Sequence, residues 1–302
     1  MRTALLRSGT RAAAAAALAF ATALGGAATA DATARGEEHG GHHGSRVEVA
    51  IGASGIHAPD TAQAGLVAFH VRTDDPKGHF LQAFRPHRGV SVRKVLADLG
   101  KAVSRKPAAA ARGISAVRDE AELLGGAQVT PSVPETFTTP VGAGPVVLLD
   151  FTAFLADPAH PVTRVLHLRD GSSGDLADFP DSIVITRETA KGPRFDVNGL
   201  RRAGENVLVH NASDEIHEMG LQPVKRGTTD AQLQKFFAST PSGRPPFTGP
   251  SLGLGAISPG RTALLQTHHL PPGTYALLCF VPDDKTGIPH VAEGMHKVVV
   301  LT

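Results

Sequence analysis

The chain has 302 residues, with 30 Lys and Arg against 28 Asp and Glu, which gives a formal net charge of +2 at pH 7. That near balance gives no reason to expect a nucleic acid or an anionic membrane surface as a partner. Once an N-terminal leader is set aside, about 270 residues remain, a length that favours two domains over one.

A secretory signal peptide is predicted over residues 1–30. Three arginines among the first 11 residues precede an apolar, Ala-rich run that ends at Leu24, and the small residues Ala28 and Ala30 suit cleavage. The run is shorter than the roughly 18 to 20 apolar residues that a membrane span needs, and no later stretch is long enough. We therefore expect a mature protein without a membrane span that is secreted or otherwise extracytoplasmic.

A polar segment rich in Gly and His follows at residues 31–46. It carries too little apolar surface to form a core, so it is predicted to be a disordered tail. His39, His42 and His43 could gather metal ions loosely there, or could simply remain solvated.

Beyond the tail, short runs rich in Val, Leu and Ile are separated by Gly, Pro, Asp and Asn, a pattern typical of the strands of a β-sandwich or barrel. Helices are expected only as short elements in loops, each beginning near a Ser or Thr cap, at 91–99, 115–124 and 229–237. The predicted strands are 47–51, 65–72, 146–151, 182–187, 205–210, 262–267, 273–280 and 297–301.

The chain also repeats itself. Residues 78–91 align without a gap with 216–229, which places His79 over His217 and Gly89 over Gly227. A second match pairs 144–149 with 260–265.

Two related units in tandem explain these matches. They are predicted at 47–170 and 182–302, with the polar stretch between them as a linker. Cys and Met occur near the end of the second unit and not in the first. The first unit is therefore predicted to be a degenerate copy without a metal-ligand set.

The only cysteine, Cys279, opens a segment that also holds His290 and Met295. A thiolate, an imidazole and a thioether on one loop suit copper better than any other common metal. An unpaired cysteine can also be a small buried hydrophobe, and Met295 by itself would be expected in a core. The combination on one loop favours a copper site.

The second unit resembles a cupredoxin, the Greek-key β-sandwich of the blue copper proteins. The likeness is carried by His217 after an Asn-containing loop, by the turn at 271–275, and by Cys279, His290 and Met295 before the last strand. It implies an all-β fold of two tandem Greek-key β-sandwich, cupredoxin-like domains. It also implies one mononuclear copper ion held by two histidines and the cysteine, with Met295 as a weak axial ligand.

Ten residues separate Cys279 from His290, more than in the small blue copper carriers. Each doubling of a flexible loop costs only about 0.6 kcal/mol in closure entropy. That is small beside the roughly 10 kcal/mol or more that a tight metal site contributes, so the spacing does not exclude copper. The polar insert at 283–287 is expected to form an exposed turn.

The resemblance implies electron transfer with a redox partner. Leu278 and Phe280 flank Cys279, where copper oxidases and nitrite reductases place a histidine that leads to a second copper centre, so the chain is expected not to be an enzyme. One alternative is copper storage or delivery, with a copper donor or acceptor protein as partner. Another is a structural or binding β-sandwich module whose copper site is vestigial.

Overall fold

The computed structural model describes residues 45–171, 178–238 and 244–302. The predicted signal peptide, most of the predicted tail and the centre of the predicted linker lie outside the described residues. Ser45 and Arg46, assigned to the tail from the sequence, belong to the first strand. No helix in the described ranges is long and apolar enough to cross a membrane.

Strands dominate the described residues, and the helices lie in the connections between them. The helices are α1 (Val92–Ala102), α2 (Pro107–Glu120), α3 (Phe151–Ala156) and α4 (Asp230–Ala238). The strands of the first half are β1 (Ser45–Gly52), β2 (Gly55–His57), β3 (Thr61–Gln63), β4 (Gly65–Arg72), β5 (His79–Pro86), β6 (Ala121–Val129), β7 (Glu135–Val141), β8 (Gly144–Asp150) and β9 (Thr163–Arg169). Those of the second half are β10 (Ser182–Thr189), β11 (Gly192–Asn198), β12 (Asn206–Asn211), β13 (His217–Pro223), β14 (Leu252–Ile257), β15 (Thr262–Gln266), β16 (Gly273–Leu278) and β17 (His296–Leu301).

The strands form two layers, each shared by both halves of the chain. One sheet has the order β11-β10-β12-β15-β7-β4-β1-β2 and the other has the order β17-β16-β13-β14-β6-β5-β8-β9-β3. An apolar core, which includes Phe69, Phe137, Leu254 and Cys279, lies between them. The predicted all-β class with short helices in loops is confirmed.

The two halves are joined by main-chain hydrogen bonds. β14 pairs antiparallel with β6, and β15 pairs antiparallel with β7. The Gln82 side chain accepts from the Ala256 amide at 2.9 Å and donates to the Ala256 carbonyl at 3.0 Å. The two halves therefore share both sheets, and the bounds predicted for separate domains, 47–170 and 182–302, stay a prediction.

The two sequence matches differ in what they join. His79 begins β5 and His217 begins β13, and these strands hold corresponding places in one sheet. The second match joins β8 to β15, which belong to different sheets, so that alignment is wrong. The strand that corresponds in position to β8 is β16.

Several central strands were not predicted because both of their faces are covered. β13 is buried at six of its seven positions and β14 at all six, so neither shows the alternation of a half-exposed strand. Gly126 in β6 would place a side chain 1.9 Å from the Leu81 carbonyl, so a glycine is needed at this close approach. The glycines of β6 give its sequence the pattern of a turn rather than that of a strand.

Two of the three predicted helices begin as expected and one does not. Ser91 caps α1 by accepting from the Lys94 amide, and the Thr229 hydroxyl accepts from the Gln232 amide at the start of α4. The helix predicted at 115–124 instead begins at Pro107, because proline suits the first helical position, and gives way to β6 at Ala121.

Helices α1 and α2 lie side by side outside the nine-stranded sheet, and α2 reaches the loop that carries Cys279 and His290. Asp284 of that loop forms an ion pair with Arg118 of α2. A side chain at Gly287 would lie 1.9 Å from the Pro107 carbonyl at the start of α2. The insert predicted as an exposed turn is thus partly packed, because the helices of the first half cover it.

We expect Gly287→Ala to destabilise the protein more than Gly260→Ala does. The two glycines have φ values of 69° and 73°, so both alanines carry the left-handed penalty of about 1 to 2 kcal/mol, but nothing lies within 4 Å of the position at Gly260. The free energy of unfolding in urea measures the difference. Equal losses in the two variants would show that the loop does not pack on α2.

A second prediction concerns Glu135, which lies at the junction of the halves and is 1% exposed. Burial raises its pKa from 4.5 to about 8, although its oxygens accept from the Gly253 amide at 3.0 and 3.1 Å. The folded protein therefore holds a proton that the unfolded chain releases above pH 4.5, so this group makes stability fall as the pH rises through 8. Unfolding in urea at pH 6 and pH 9 should show a smaller difference for Glu135→Gln than for the original chain. The exposed control Glu48→Gln should keep the full difference, and an unchanged pH dependence in Glu135→Gln would refute the assignment.

Candidate metal centre

Three of the four predicted ligands meet in the core. His217 Nδ1 lies 3.0 Å from His290 Nδ1, and Cys279 Sγ lies 3.7 Å and 3.5 Å from these two nitrogens. All three side chains are 0% exposed. They form a buried set of two imidazoles and one thiol.

The spacing of the three donor atoms suits a metal ion. A point equidistant from three atoms so spaced lies about 2 Å from each, which matches metal–nitrogen bonds of about 2.0 to 2.1 Å and approaches a metal–thiolate bond of about 2.3 Å. Two imidazoles and a thiolate in a trigonal set are the strong ligands typical of blue copper sites. The residues present therefore fit copper.

A buried asparagine holds the loop that carries His217. Asn211 donates to the carbonyls of Glu215 at 2.8 Å and Ile257 at 3.1 Å, and it accepts from the Thr186 hydroxyl at 3.0 Å. Because Asn211 is 0% exposed, these bonds are not shared with solvent. They fasten the start of β13 to two neighbouring strands, and so they fix the position of His217.

The long loop between Cys279 and His290 folds back on itself. The Val291 amide donates to the Cys279 carbonyl at 2.8 Å, and the His290 amide donates to the Val281 carbonyl at 3.0 Å. Between them, Asp283 and Ile288 are joined by a main-chain bond of 2.9 Å. The ten intervening residues thus form a small hairpin, and the main-chain bonds at its base return His290 to Cys279.

Glu215 orients the second imidazole from outside the donor set. His290 Nε2 lies 3.1 Å from a Glu215 oxygen, and the same carboxylate accepts from the Asp284 amide at 3.1 Å. If a metal ion were bound, a carboxylate on Nε2 would hold the proton there and leave the lone pair of Nδ1 for the ion, as outer partners of metal-binding histidines do. Glu215 was not predicted from the sequence, because the 75 residues between it and His290 hide the contact.

The two imidazoles have opposite electrostatic surroundings. Burial and, to a smaller extent, the charge on His290 lower the pKa of His217 to about 3. Burial also opposes charge on His290, but Cys279 and Glu215 outweigh it and raise the pKa of His290 to about 10. One imidazole is thus neutral, and the other is placed to carry a positive charge between a sulfur and a carboxylate.

Glu218 joins the two strands that carry His217 and Cys279. Its amide donates to Cys279 Sγ at 3.5 Å, and its carboxylate accepts from the Phe280 amide at 2.8 Å. Burial raises the pKa of Glu218 to about 7. Because side chains alternate along a strand, this carboxylate leaves the sheet on the face opposite to His217.

Met295, the predicted axial ligand, is 0% exposed and belongs to the same apolar core as Cys279. Its amide donates to the His290 carbonyl at 2.9 Å, which closes the loop just before β17. Its role as a ligand stays a prediction.

The first half places an ion pair where the second half has its donor set. His79 Nδ1 lies 3.1 Å from Asp150, which ends β8 as Cys279 follows the end of β16. The Asp150 carboxylate raises the pKa of His79 against the opposing effect of burial. Among the described residues of the first half, no cluster of His, Cys, Asp and Glu has metal-ligand spacing.

Comparison with known proteins gives matches among solved structures alone. No protein-family model and no curated protein matches the chain. Rusticyanin from Thiobacillus ferrooxidans matches at 20% identity over 40% of this chain and 76% of its own, with a TM-score of 0.24. A copper nitrite reductase from Nitrosomonas europaea matches at 13% identity over 85% of this chain and 93% of its own, also at a TM-score of 0.24. A multicopper oxidase matches at 13% identity over 85% of this chain and 88% of its own, at 0.22.

These matches contradict one prediction from the sequence. The chain was expected not to be an enzyme, but the copper nitrite reductase and the multicopper oxidase each match it over 85% of its length, and both are enzymes. The residues beside Cys279 concern only one route of electron transfer between copper centres, so they do not suffice to exclude catalysis. At these identities and TM-scores, the matches assign no reaction, metal or partner to this chain.

The first prediction for the site concerns Glu215. Glu215→Gln replaces the carboxylate on His290 Nε2 with a neutral amide of the same shape, so we expect copper affinity to fall by about 10- to 100-fold. Competition with a chelator of known copper affinity measures the loss. Glu293→Gln is the control. Glu293 lies just after His290 in the chain, but its carboxylate is bonded to Thr286 and not to His290, so this variant should bind copper as the original chain does. Equal affinity in all three proteins would show that Glu215 has no part in the site.

Proposed function

We propose that this chain binds one copper ion through His217, Cys279 and His290, with Met295 as a weak axial ligand, and transfers single electrons. The spacing of the three buried donor atoms carries the proposal. When bound, copper would supply a one-electron couple. The chain's own residues position the donors and exclude water from them.

The buried donors favour electron transfer over copper storage or delivery. All three are 0% exposed, and each is held by main-chain or side-chain hydrogen bonds of the fold. A set fixed in advance needs little rearrangement between Cu(I) and Cu(II), which suits rapid electron transfer. Loading or releasing copper would require the Cys279–His290 loop to open, so repeated exchange with a partner is less well supported.

The contacts of the first half also support a proposal about its relation to the second half. We infer that it is a copy of the second half that has lost its ligands. Corresponding strands carry the same pair of side chains in both halves, since His70 Nδ1 lies 2.9 Å from the Thr136 hydroxyl and His210 Nδ1 lies 2.9 Å from the Thr262 hydroxyl. In this interpretation the His79–Asp150 ion pair replaces the metal as the bond across the strand ends.

Export remains part of the proposal. It rests on residues 1–30, whose basic opening and short apolar run are typical of a signal peptide. The redox partner would then be another protein outside the cytoplasm.

Addition of Cu(II) to the purified full chain tests the copper site. We expect an intense visible absorption band at one tightly held copper per chain, because a thiolate–copper bond is formed only at Cys279. Cys279→Ser should abolish the band, while His268→Ala, at an exposed histidine outside the donor set, should keep it. A colourless complex, or a band that survives in Cys279→Ser, would contradict the assignment.

Cycling the same sample separates electron transfer from delivery. Ascorbate should bleach the band, and reoxidation should restore it with the copper retained in the presence of a Cu(I) chelator. Loss of copper to the chelator during one cycle would favour storage or delivery instead.

A further inference from the structure

A cavity of about 570 Å³ lies directly behind the metal centre. It is enclosed by the outer face of the nine-stranded sheet, by α1 and α2, and by the loop that carries His290. Ile216, Glu218 and Phe280 line the cavity, and these residues are the direct neighbours of His217 and Cys279 in the chain. The volume falls within the range of roughly 300 to 1,000 Å³ that small-molecule sites occupy.

The cavity wall is mostly apolar, and its buried polar side chains are Gln82 and Glu218, whereas Ser104, Arg105 and Glu293 in the wall are more exposed. The helices contribute Val95, Leu99, Ile114 and Val117, and the sheet contributes phenylalanines such as Phe84. Gln82 also lines the cavity, but its side chain is already bonded to three carbonyls and one amide. Gln82 therefore serves the structure and leaves Glu218 as the buried polar group available to a ligand.

Glu218 is 8% exposed, and only one of its oxygens is engaged. Oε1 accepts from the Phe280 amide at 2.8 Å, while Oε2 has no donor among the described residues. A ligand that displaced water from the cavity would leave this oxygen without a partner unless the ligand supplied a donor, so the oxygen marks where a ligand's donor would lie. Apart from Gln82, Glu218 is the one buried polar side chain in a mostly apolar, ring-lined space.

We propose that this cavity binds a small uncharged ring molecule that is apolar except for one hydroxyl group, which donates to Glu218. An ammonium ligand fits less well, since it would bring three N–H donors to one free oxygen and leave the others without partners. A hydrocarbon without a hydroxyl would leave Glu218 unpaired. This site does not depend on the proposed copper function, because none of the four proposed copper ligands lines the cavity.

Three naphthalene probes test the proposal. Binding of 2-naphthol, naphthalene and 2-(aminomethyl)naphthalene is measured by calorimetry on the full chain, both metal-free and copper-loaded with ascorbate to keep the metal reduced. We expect one site for 2-naphthol, at least about tenfold tighter than for either other probe, because one net hydrogen bond is worth about that much. Equal binding of 2-naphthol and naphthalene, tighter binding of the amine, or no saturable binding would each overturn the proposal.

Variants that fill the cavity locate the binding site. Val103→Trp, at the end of α1, and Ala110→Phe, in α2, place larger side chains in the cavity, and both positions are far along the chain from the donor set. Each variant should weaken 2-naphthol binding at least tenfold. Lys101→Trp, on the exposed side of α1, should leave it unchanged. If a filled variant folds and still binds 2-naphthol as the original chain does, the probe binds elsewhere and the proposal fails. Should neither variant fold, the contrast among the three probes decides.

Metal-free chain that binds 2-naphthol but takes up no copper would refute the proposed function and leave the cavity assignment standing.

Discussion

The close approach of two imidazoles and a thiol inside an apolar core is the constraint on which the rest of the structure depends. His217, Cys279 and His290 are fully buried, and burial of polar groups is costly unless they are bonded. The fold meets that cost with contacts outside the donor set, from Glu215 to His290 and from the Glu218 amide to the sulfur. His217 Nε2 has no hydrogen-bond partner in the described part of the chain, so the fold leaves one polar atom of this buried set unpaired.

The two halves of the chain use one framework for different ends. In the first half, the histidine at the start of β5 meets a carboxylate, and the resulting ion pair needs no metal. In the second half, the corresponding histidine meets sulfur and a second imidazole. The first half contributes to the site from a distance, because its helix α2 covers the loop that carries His290 at Pro107 and Arg118. The described residues of the first half thus hold no such donor set, yet they support the loop that carries part of it.

The backbone of the nine-stranded sheet separates two chemically different spaces. His217 and Met219 face the core between the sheets, whereas Glu218 faces the cavity under α1 and α2. Yet one residue belongs to both, because the Glu218 amide meets Cys279 Sγ while its carboxylate lines the cavity. A molecule in the cavity would therefore contact the strand that supports the sulfur without entering the donor set.

Features that lie within one segment of the chain could be predicted from the sequence, but contacts between residues far apart in the chain could not. Cys279, His290 and Met295 could be grouped because they share one loop, and His217 could be added because it recurs at His79. Glu215 and Glu218 could not be found this way, since their partners lie 75 and 61 residues away and carboxylates are common on surfaces. Strands such as β13 and β14 escaped prediction for a related reason, because burial on both faces removes the alternation that marks a strand. The docking of the loop on α2 depends on contacts between the halves, which no local pattern records.

X-ray absorption at the copper edge of the loaded full chain tests the central claim most directly. The structure predicts two nitrogen ligands and one sulfur ligand at the short bond lengths of about 2.0 to 2.3 Å that such a donor set allows. A first shell made only of nitrogen and oxygen, with no short sulfur bond, would show that copper binds elsewhere and that the buried set is not its site.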